Sequence, residues 1–406
     1  MRAADSIDVS AAADLRRATL AVYAVFFGAG FAFASWASRI PQVRDGLHLS
    51  PASLGLLLLS IAGGSVLALP LSGIVVARLG AGRTVAVMAV LTAAGLAIAA
   101  IGFRIGVAPV VAGLFLLGAG NGTWDVAMNV EGAFVEQRLR RSIMPRFHAG
   151  FSVGTVSGAL LGAAMVAAGV SVTVHLLIVA ALIGLAVPWA ARGFLTVGAA
   201  GRHDEEKPGH HPLAAWKEPR TLLLGLLVFC MAFIEGTGND WLGVAMIDGY
   251  DASPAVASLT LGIFLGAMTT GRWFGPALLD RFGRVASVRA SGILACAGLL
   301  LVVFVGSLPL AMAGAVLWGL GSALGFPVGM SAAADDRQRA AGRLSVVTSI
   351  GYMAFLAGPP FVGLLGNHVG TLDSLLAVAG LASIGVLVSG VLAPRPAGSL
   401  DAAPSA

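Results

Sequence analysis

The sequence GAGNGTWDVAMNVEG, residues 118–132, lies at the centre of an apolar segment that begins near Val107 and ends at a basic cluster that starts with Arg138. Read as one helix, this segment is long enough to cross a bilayer of about 30 Å at about 1.5 Å per residue. Asp125 then lies roughly 20–27 Å from either boundary. Because a charge at that depth costs about 2.5–3.5 kcal/mol or more, an acid held there predicts a functional site.

The composition as a whole is that of a polytopic membrane protein. The chain has 406 residues, of which 57% are hydrophobic and 11% are charged, against about 25% charged in typical soluble proteins. Its two cysteines, Cys230 and Cys296, lie in apolar segments and have no metal-ligand spacing. No nucleotide-binding loop or zinc-spaced cluster is present, so the sequence predicts no metal, no cofactor and no enzymatic activity.

Twelve apolar segments are long enough to form membrane-spanning helices, and they are numbered here as helices 1–12. They lie at residues 18–38, 52–77, 84–103, 107–135, 143–168, 171–192, 220–247, 254–279, 286–305, 308–334, 343–366 and 371–393. An even number of spans places both termini on the same side of the membrane. The sequence therefore predicts an all-α membrane protein of twelve transmembrane helices.

The basic residues indicate which side carries the termini. With both termini in the cytoplasm, all but four of the 25 lysine and arginine residues lie in the inner segments. Arg39, Arg44 and Arg104 fall on the outer side, and Arg272 falls within helix 8. By the positive-inside rule, both termini are cytoplasmic. This distribution is a topology signal, so we expect no nucleic-acid partner.

One long hydrophilic connection, residues 193–219, divides the chain into two halves. Its charge and its proline and glycine content predict a flexible linker. We therefore expect an N-terminal six-helix bundle at 1–192, a C-terminal six-helix bundle at 220–393 and a cytoplasmic tail at 394–406.

The two halves repeat. Ser50-Pro51 opens helix 2 and Ser253-Pro254 opens helix 8, 203 residues later. The helices close on Gly80 and Gly283, which are separated by the same 203 residues. Repeated halves with an even number of spans imply a parallel duplication about an axis along the membrane normal.

On these features the chain resembles the major facilitator superfamily over nearly its whole length. That family carries a glycine, an acidic–arginine pair, a second glycine and basic residues between helices 2 and 3. The second half matches at 280–284, whereas the first half has Ala77 in the acidic place. The resemblance implies an inner gate, formed here by Arg78, Gly80, Arg272, Asp280, Arg281 and Gly283.

Within the superfamily, the sequence DVAMN at 125–129, with Glu131, Glu136 and FHAGFS at 147–152, resembles the fucose-permease-like branch. More narrowly, it is similar to a bacterial subgroup of permeases with largely unassigned substrates. The resemblance implies a protein of the bacterial inner (plasma) membrane with two six-helix bundles. Helices 1, 4, 7 and 10 would line a central cavity that opens alternately to each side.

Candidate solute- or proton-binding residues lie on helices 4 and 7. Asn121, Asp125 and Asn129 are spaced by four residues and form one polar stripe, which must face protein or a water-filled cavity. Glu235 and Asn239 share a face of helix 7 at a comparable depth. We expect these residues to converge on one cavity. The alternatives are interhelical hydrogen bonds that only hold the bundle together and a structurally paired acid.

A second pair lies nearer the inner surface. Glu131 on helix 4 and His148 on helix 5 lie at similar depths, and antiparallel neighbours would bring them together. A buried carboxylate–imidazole pair either relays protons near neutral pH or braces the inner gate.

These features predict a proton-coupled symporter for a small polar, sugar-like solute. The partners would be that solute, protons and the lipid bilayer, with the chain acting as a monomer. Two alternatives stay open: an exporter of amphipathic or hydrophobic compounds, and a non-transporting membrane sensor on a transporter scaffold. Helix 5 has no proline beyond Pro145, and so lacks the Gly-Pro motif frequent in drug antiporters of the superfamily, which disfavours export.

Overall fold

The computed structural model describes residues 2–140, 143–195, 214–335 and 339–393, and this part of the chain is helical without any strand. The helices of the N-terminal bundle are helix 1 Arg2–Ala37, helix 2 Pro51–Leu79, helix 3 Ala81–Gly102, helix 4 Val107–Leu139, helix 5 Met144–Ala167 and helix 6 Val172–Ala191. Those of the C-terminal bundle are helix 7 Pro219–Tyr250, helix 11 Ala340–Val369 and helix 12 Thr371–Val388. Helices 8 and 9 together form Pro254–Phe304, and helix 10 consists of two pieces, Leu308–Ser322 and Gly325–Ala333. A short helix, Ile40–Gly46, follows helix 1 and is called the outer helix here.

Eleven segments of the described chain are long and apolar enough to cross a membrane, because helices 8 and 9 are continuous over 51 residues. At about 1.5 Å per residue this length is roughly 76 Å, more than twice a bilayer's apolar thickness. The backbone breaks at Gly283, with φ 76° and ψ 167°. Split at that glycine, the segment supplies two spans, which fits the predicted twelve.

The break at Gly283 repeats the break between helices 2 and 3. Gly80 has φ 78° and ψ 157°, nearly the same backbone conformation 203 residues earlier. Positive φ of this kind favours glycine, which has no Cβ to clash with the backbone. The two inner turns are therefore duplicates in conformation as well as in sequence.

The packing of helices against each other also repeats between the two halves. Gly118 on helix 4 lies against the carbonyl oxygen of Ile61 on helix 2, and Gly319 on helix 10 lies against that of Phe264 on helix 8. A Cβ at either glycine would overlap the facing oxygen. The two carbonyls belong to residues 203 apart. Small residues at these crossings let the backbones of membrane helices approach closely.

The two bundles touch on the side that carries the outer helix, which is called the outer side here. Gly55 on helix 2 lies against the backbone of Pro359 on helix 11. A Cβ added at Gly262 on helix 8 would lie 3.1 Å from the side chain of Leu160 on helix 5. Ser258 on helix 8 donates a hydrogen bond of 2.8 Å to the carbonyl of Ser38 at the end of helix 1. These contacts close the outer side.

The same helix faces are separated on the inner side. Gly73 lies 18 residues after Gly55, about five turns of about 3.6 residues each, and so on the same face of helix 2. It has no neighbouring atom within 4 Å of the position a Cβ would take, and neither does Gly266, one turn after Gly262 on helix 8. This arrangement, closed on the outer side and open on the opposite, inner side, is called the inward-open conformation here.

Two predicted connections fall largely outside the described residues. These are the linker, of which residues 196–213 are not described, and the tail at 394–406. The domain boundaries at 193–219 and 394–406 therefore stay predictions.

Candidate functional site

Polar and charged side chains from five helices lie where the two bundles separate. The N-terminal bundle supplies them from helices 4 and 5, and the C-terminal bundle from helices 7, 8 and 11. The set is called the central site here and consists of Asp125, Asn129, His148, Glu235, Arg272 and Tyr352.

Asp125 and Asn129 form the helix 4 part of this site. The Asn129 side-chain amide donates to the Asp125 backbone carbonyl at 2.9 Å and to its carboxylate at 3.3 Å. Both side chains are half-buried, and Asp125 interacts electrostatically with Tyr352 of the opposite bundle. Asn121, one turn before Asp125 on helix 4, is half-buried and makes no hydrogen bond within the described chain. The carboxyl group of Asp125 therefore faces the gap between the bundles.

Glu235 on helix 7 forms an ion pair with Arg272 on helix 8. The distance between Arg272 Nη2 and Glu235 Oε1 is 2.8 Å, and the two side chains are 30% and 14% exposed. Arg272 lies eight residues before Asp280, about 12 Å along the helix towards the outer side. Arg272 thus pairs with an acid of the central site, and its assignment to the inner gate stays a prediction.

The predicted pair of Glu131 and His148 is not formed. Glu131 is buried and accepts a hydrogen bond of 2.7 Å from the backbone N–H of Leu195, after helix 6. His148 is exposed, lies edge-on to the Phe26 ring at 5.1 Å and interacts electrostatically with Arg272. Glu131 lies about 240° around helix 4 from Asp125 at about 100° per residue, and so points away from the gap. The two side chains do not contact each other in this conformation, and their role as a relay or inner gate stays a prediction.

Asn239 lies one turn from Glu235 on helix 7 but is packed more deeply, at 9% exposure. Its side-chain oxygen and the hydroxyl of Thr237 have no hydrogen-bond partner among the described residues. Buried polar atoms without partners are rare in folded proteins and mark places where water or a ligand completes the bonding.

The remaining charged members of the predicted inner gate form no ion pairs within the described chain. Arg78, Asp280 and Arg281 are exposed, and none of them forms an ion pair within the described chain. Gly80 and Gly283 serve as the two chain breaks described above. Because the inner side is open, the charged side chains of the predicted inner gate have no ion-pair partner across the gap in this conformation.

Two features of the structure were not predicted. The first is Tyr352, one of three tyrosines in the chain. A phenol in the middle of an apolar helix is the sequence feature that would have marked it as a site residue. The second feature is an ion pair on the outer side, where Arg44 of the outer helix contacts Asp248 of helix 7 at 2.6 Å. No sequence pattern connects these two positions directly, but Asp248 repeats Asp45 at the 203-residue offset.

Two repeated six-helix bundles, closed on one side, with charged groups facing each other in the gap, form the architecture of a secondary transporter. The family model of the Major Facilitator Superfamily matches residues 18–251 and 228–405. The chain belongs to this family.

Individual proteins agree with this assignment. The chain is 33% identical over 346 residues to the uncharacterized transporter y4wD of Sinorhizobium fredii, covering 85% of this chain and 90% of the relative. The fold is similar to that of the nucleoside transporter NupG, with a TM-score of 0.75 at 14% identity, covering 92% and 98% of the two chains. It is also similar to a variant of the E. coli fucose:proton symporter FucP, with a TM-score of 0.64 at 17% identity, covering 93% and 98%.

Proposed function

We propose that this membrane transporter moves a small polar, sugar-like solute across the bacterial inner membrane by alternating access, coupled to protons. It works as a monomer with both termini in the cytoplasm. The N-terminal bundle at 1–192 and the C-terminal bundle at 220–393 rock against each other about the central site.

The observation that carries the proposal is that polar groups of opposite bundles face each other at the level where the bundles separate. Asp125 faces Tyr352, and His148 faces Arg272. The outer contacts close this level from one side while it is open to the other. Rocking of one bundle against the other exposes such a site to each side in turn.

The chemistry of the site supports a polar solute. Carboxylate, amide, imidazole, guanidinium and phenol groups all border the gap, and each is expensive to leave without a polar partner in a membrane protein. A hydrophobic or amphipathic solute would leave these groups unsatisfied, so the lining favours a hydroxylated solute over the exporter alternative.

Proton coupling is assigned first to Asp125 and second to Glu235. Both carboxyl groups are on helices that line the gap, and both are many residues from either end of their helices. Ionising a carboxyl group at such depth is costly, so its charge depends on which side of the membrane it faces and on which groups surround it. Loading on one side and release on the other then couples the two fluxes.

The experiment is uptake into proteoliposomes that hold the purified protein and are exposed to an acid-outside pH gradient. The solutes are radiolabelled L-fucose, uridine and D-glucuronate, and protein-free liposomes are the control. We expect one solute to accumulate above equilibrium and a protonophore to abolish that accumulation. Accumulation that the protonophore leaves unchanged, or none with any solute, contradicts the proposal.

A further inference from the structure

Arg272 lies within helix 8, eight residues before Asp280, and pairs with Glu235 of the central site. It also interacts electrostatically with His148 on helix 5, so it lies at the boundary between the two bundles. The Arg272 side chain is 30% exposed. A permanent positive charge therefore borders the solute path.

The protein uses only a small part of the hydrogen-bonding capacity of Arg272. One nitrogen, Nη2, contacts one oxygen of Glu235 at 2.8 Å, and the guanidinium makes no other hydrogen bond within the described chain. By contrast, Nη1 of Arg44 contacts both oxygens of Asp248 at 2.6 and 2.7 Å. A guanidinium has five N–H donors in a fixed fork that matches a carboxylate, so most donors of Arg272 remain available.

The contact with Glu235 is of the kind that a competing acid can replace. Both side chains are partly exposed to the gap, so neither is locked in by packing. When Glu235 takes up a proton it loses its charge, and a neutral carboxyl group holds a guanidinium more weakly than a carboxylate does. Arg272 then needs another anion, because an unpaired charge within the membrane is costly.

We propose that the transported solute is a small hydroxylated carboxylate, such as a sugar acid, whose carboxylate replaces that of Glu235 on Arg272. This inference rests on the transporter function proposed above and names the solute class of the same site. The hydroxyl groups of the solute lie towards Asp125, Asn129 and Tyr352 across the gap, which donate and accept hydrogen bonds.

The charge balance follows from this exchange. One proton binds the Glu235 carboxylate and gives a neutral carboxyl group, and one solute carboxylate takes its place beside the guanidinium. The net charge beside Arg272 is therefore the same before and after the solute binds, and the transmembrane proton remains assigned to Asp125. No covalent bond other than the O–H of Glu235 forms or breaks.

Asp240 lies five residues beyond Glu235 on helix 7. Arg272 faces Glu235 from helix 8, with His148 of helix 5 beyond Arg272. Asp125 and Tyr352 lie on helices 4 and 11 at the same gap. Helices 10 and 11 otherwise contact this part of helix 7 through apolar rings, with Trp318 donating to the carbonyl of Ile234 and Phe355 beside Gly236.

The test compares matched solutes on the full-length purified protein by ligand-induced thermal stabilisation. The pairs are D-glucuronate with D-glucose and L-lactate with propane-1,2-diol, each an acid with a neutral analogue. The variants are Arg272→Gln and Glu235→Gln, and the control is Arg289→Gln, whose side chain contacts Ser389 in the C-terminal bundle. The affinity of the wild type for an acid should rise as the pH falls.

The expected pattern differs among the variants. Arg272→Gln should weaken acid binding by about tenfold or more, since a charge-assisted hydrogen bond is lost. Glu235→Gln should bind the acid more tightly than the wild type does and without the pH dependence, because the competing carboxylate is gone. Arg289→Gln should behave as the wild type.

Three results overturn the inference: neutral analogues that bind as well as the acids, acid binding that Arg272→Gln leaves intact, or no response to either acid in wild type and Glu235→Gln alike. Proton-driven accumulation of L-fucose by both wild type and Arg272→Gln would refute the acidic solute and leave the proposed transport function standing. Absence of any gradient-driven accumulation refutes that function itself.

Discussion

Arg44 of the outer helix donates two hydrogen bonds from Nη1 to the carboxylate of Asp248 on helix 7, at 2.6 and 2.7 Å, and so joins the two bundles on the outer side. Asp248 also accepts from the Thr371 hydroxyl of helix 12 at 2.7 Å. The outer helix is itself tied to helix 6, because Arg39 Nε donates to His175 Nδ1 at 2.8 Å. The ion pair of Arg44 and Asp248 belongs to the inward-open conformation and must break when the outer side opens.

Removal of the outer ion pair should shift the protein towards the outward-open conformation. Arg44→Gln loses hydrogen bonds to a charged partner worth about 1.5–3 kcal/mol, which would change the ratio of conformations by roughly ten- to a hundredfold. Spin labels at the exposed outer positions 104 and 373, with Cys230 and Cys296 replaced by alanine, report the separation of the bundles. Arg104 lies on the N-terminal bundle and Asp373 on the C-terminal bundle.

We expect longer label distances in Arg44→Gln and in Asp248→Asn than in the wild type. The double variant should show no further shift beyond the single variants, because both remove the same interaction. Distances that stay unchanged in both single variants would show that the ion pair does not hold the outer side closed.

The chain break at Gly283 should not tolerate a side chain. Gly283→Ala places a Cβ at φ 76° and ψ 167°, a backbone region essentially restricted to glycine, which costs about 1–3 kcal/mol. The same cost applies to Gly80→Ala, since the two conformations repeat. Gly266→Ala is the matched control, because it lies within helix 8 with open space beside it.

Thermal unfolding in detergent measures these differences. Both inner-turn variants should melt below the wild type, and Gly266→Ala should melt at or above it because alanine favours helix. Equal melting of Gly283→Ala and Gly266→Ala would mean that the strained turn does not contribute to stability.

Glu218 is the N-cap residue of helix 7, and its carboxylate predicts how the stability of the protein depends on pH. Burial alone would raise the pKa of Glu218, but hydrogen bonds from Arg343 and Thr221 and the charges of Arg343 and Arg339 lower it below its ordinary value of 4.5. A carboxylate with a depressed pKa stabilises the folded state above its unfolded pKa, and this contribution is lost as the pH falls through the folded pKa. Glu218→Gln should therefore lower the melting temperature at neutral pH.

The difference in melting temperature between Glu218→Gln and the wild type should shrink as the pH falls below 4.5. The exposed acid Asp280, which has no ion-pair partner in the described chain, provides the control variant Asp280→Asn, with little effect at any pH. A constant difference across the whole pH range would assign the effect to lost packing instead of the carboxylate charge.

The spans and the repeat could be predicted because they depend on local properties. Apolar length alone identifies a helix such as Val107–Leu139, and the matched glycines at 80 and 283 identify the duplication. The polar stripe of Asn121, Asp125 and Asn129 follows from four-residue spacing, and the Asn129 amide donates to the Asp125 carboxylate.

The pairing of charges could not be predicted in the same way. The sequence does not indicate that Arg272 pairs with Glu235, or that His148 lies beside Phe26 and Arg272 instead of Glu131. Such pairs depend on the rotation of each helix about its axis and on whether the molecule is open inward or outward. Neither property changes the apolar pattern of the sequence, so the pattern does not encode it.

The central claim is that a carboxyl group between the bundles carries the coupled proton, with Asp125 as the first candidate. Asp125→Asn keeps the size and the hydrogen-bonding shape of the side chain but removes its titration. The most direct measurement follows the pH inside proteoliposomes on addition of the solute that wild type accumulates, together with exchange of labelled for unlabelled solute. We expect Asp125→Asn to abolish solute-driven proton entry and to retain the exchange of labelled for unlabelled solute. Proton entry at the wild-type rate in Asp125→Asn would contradict it and transfer the carrier role to Glu235.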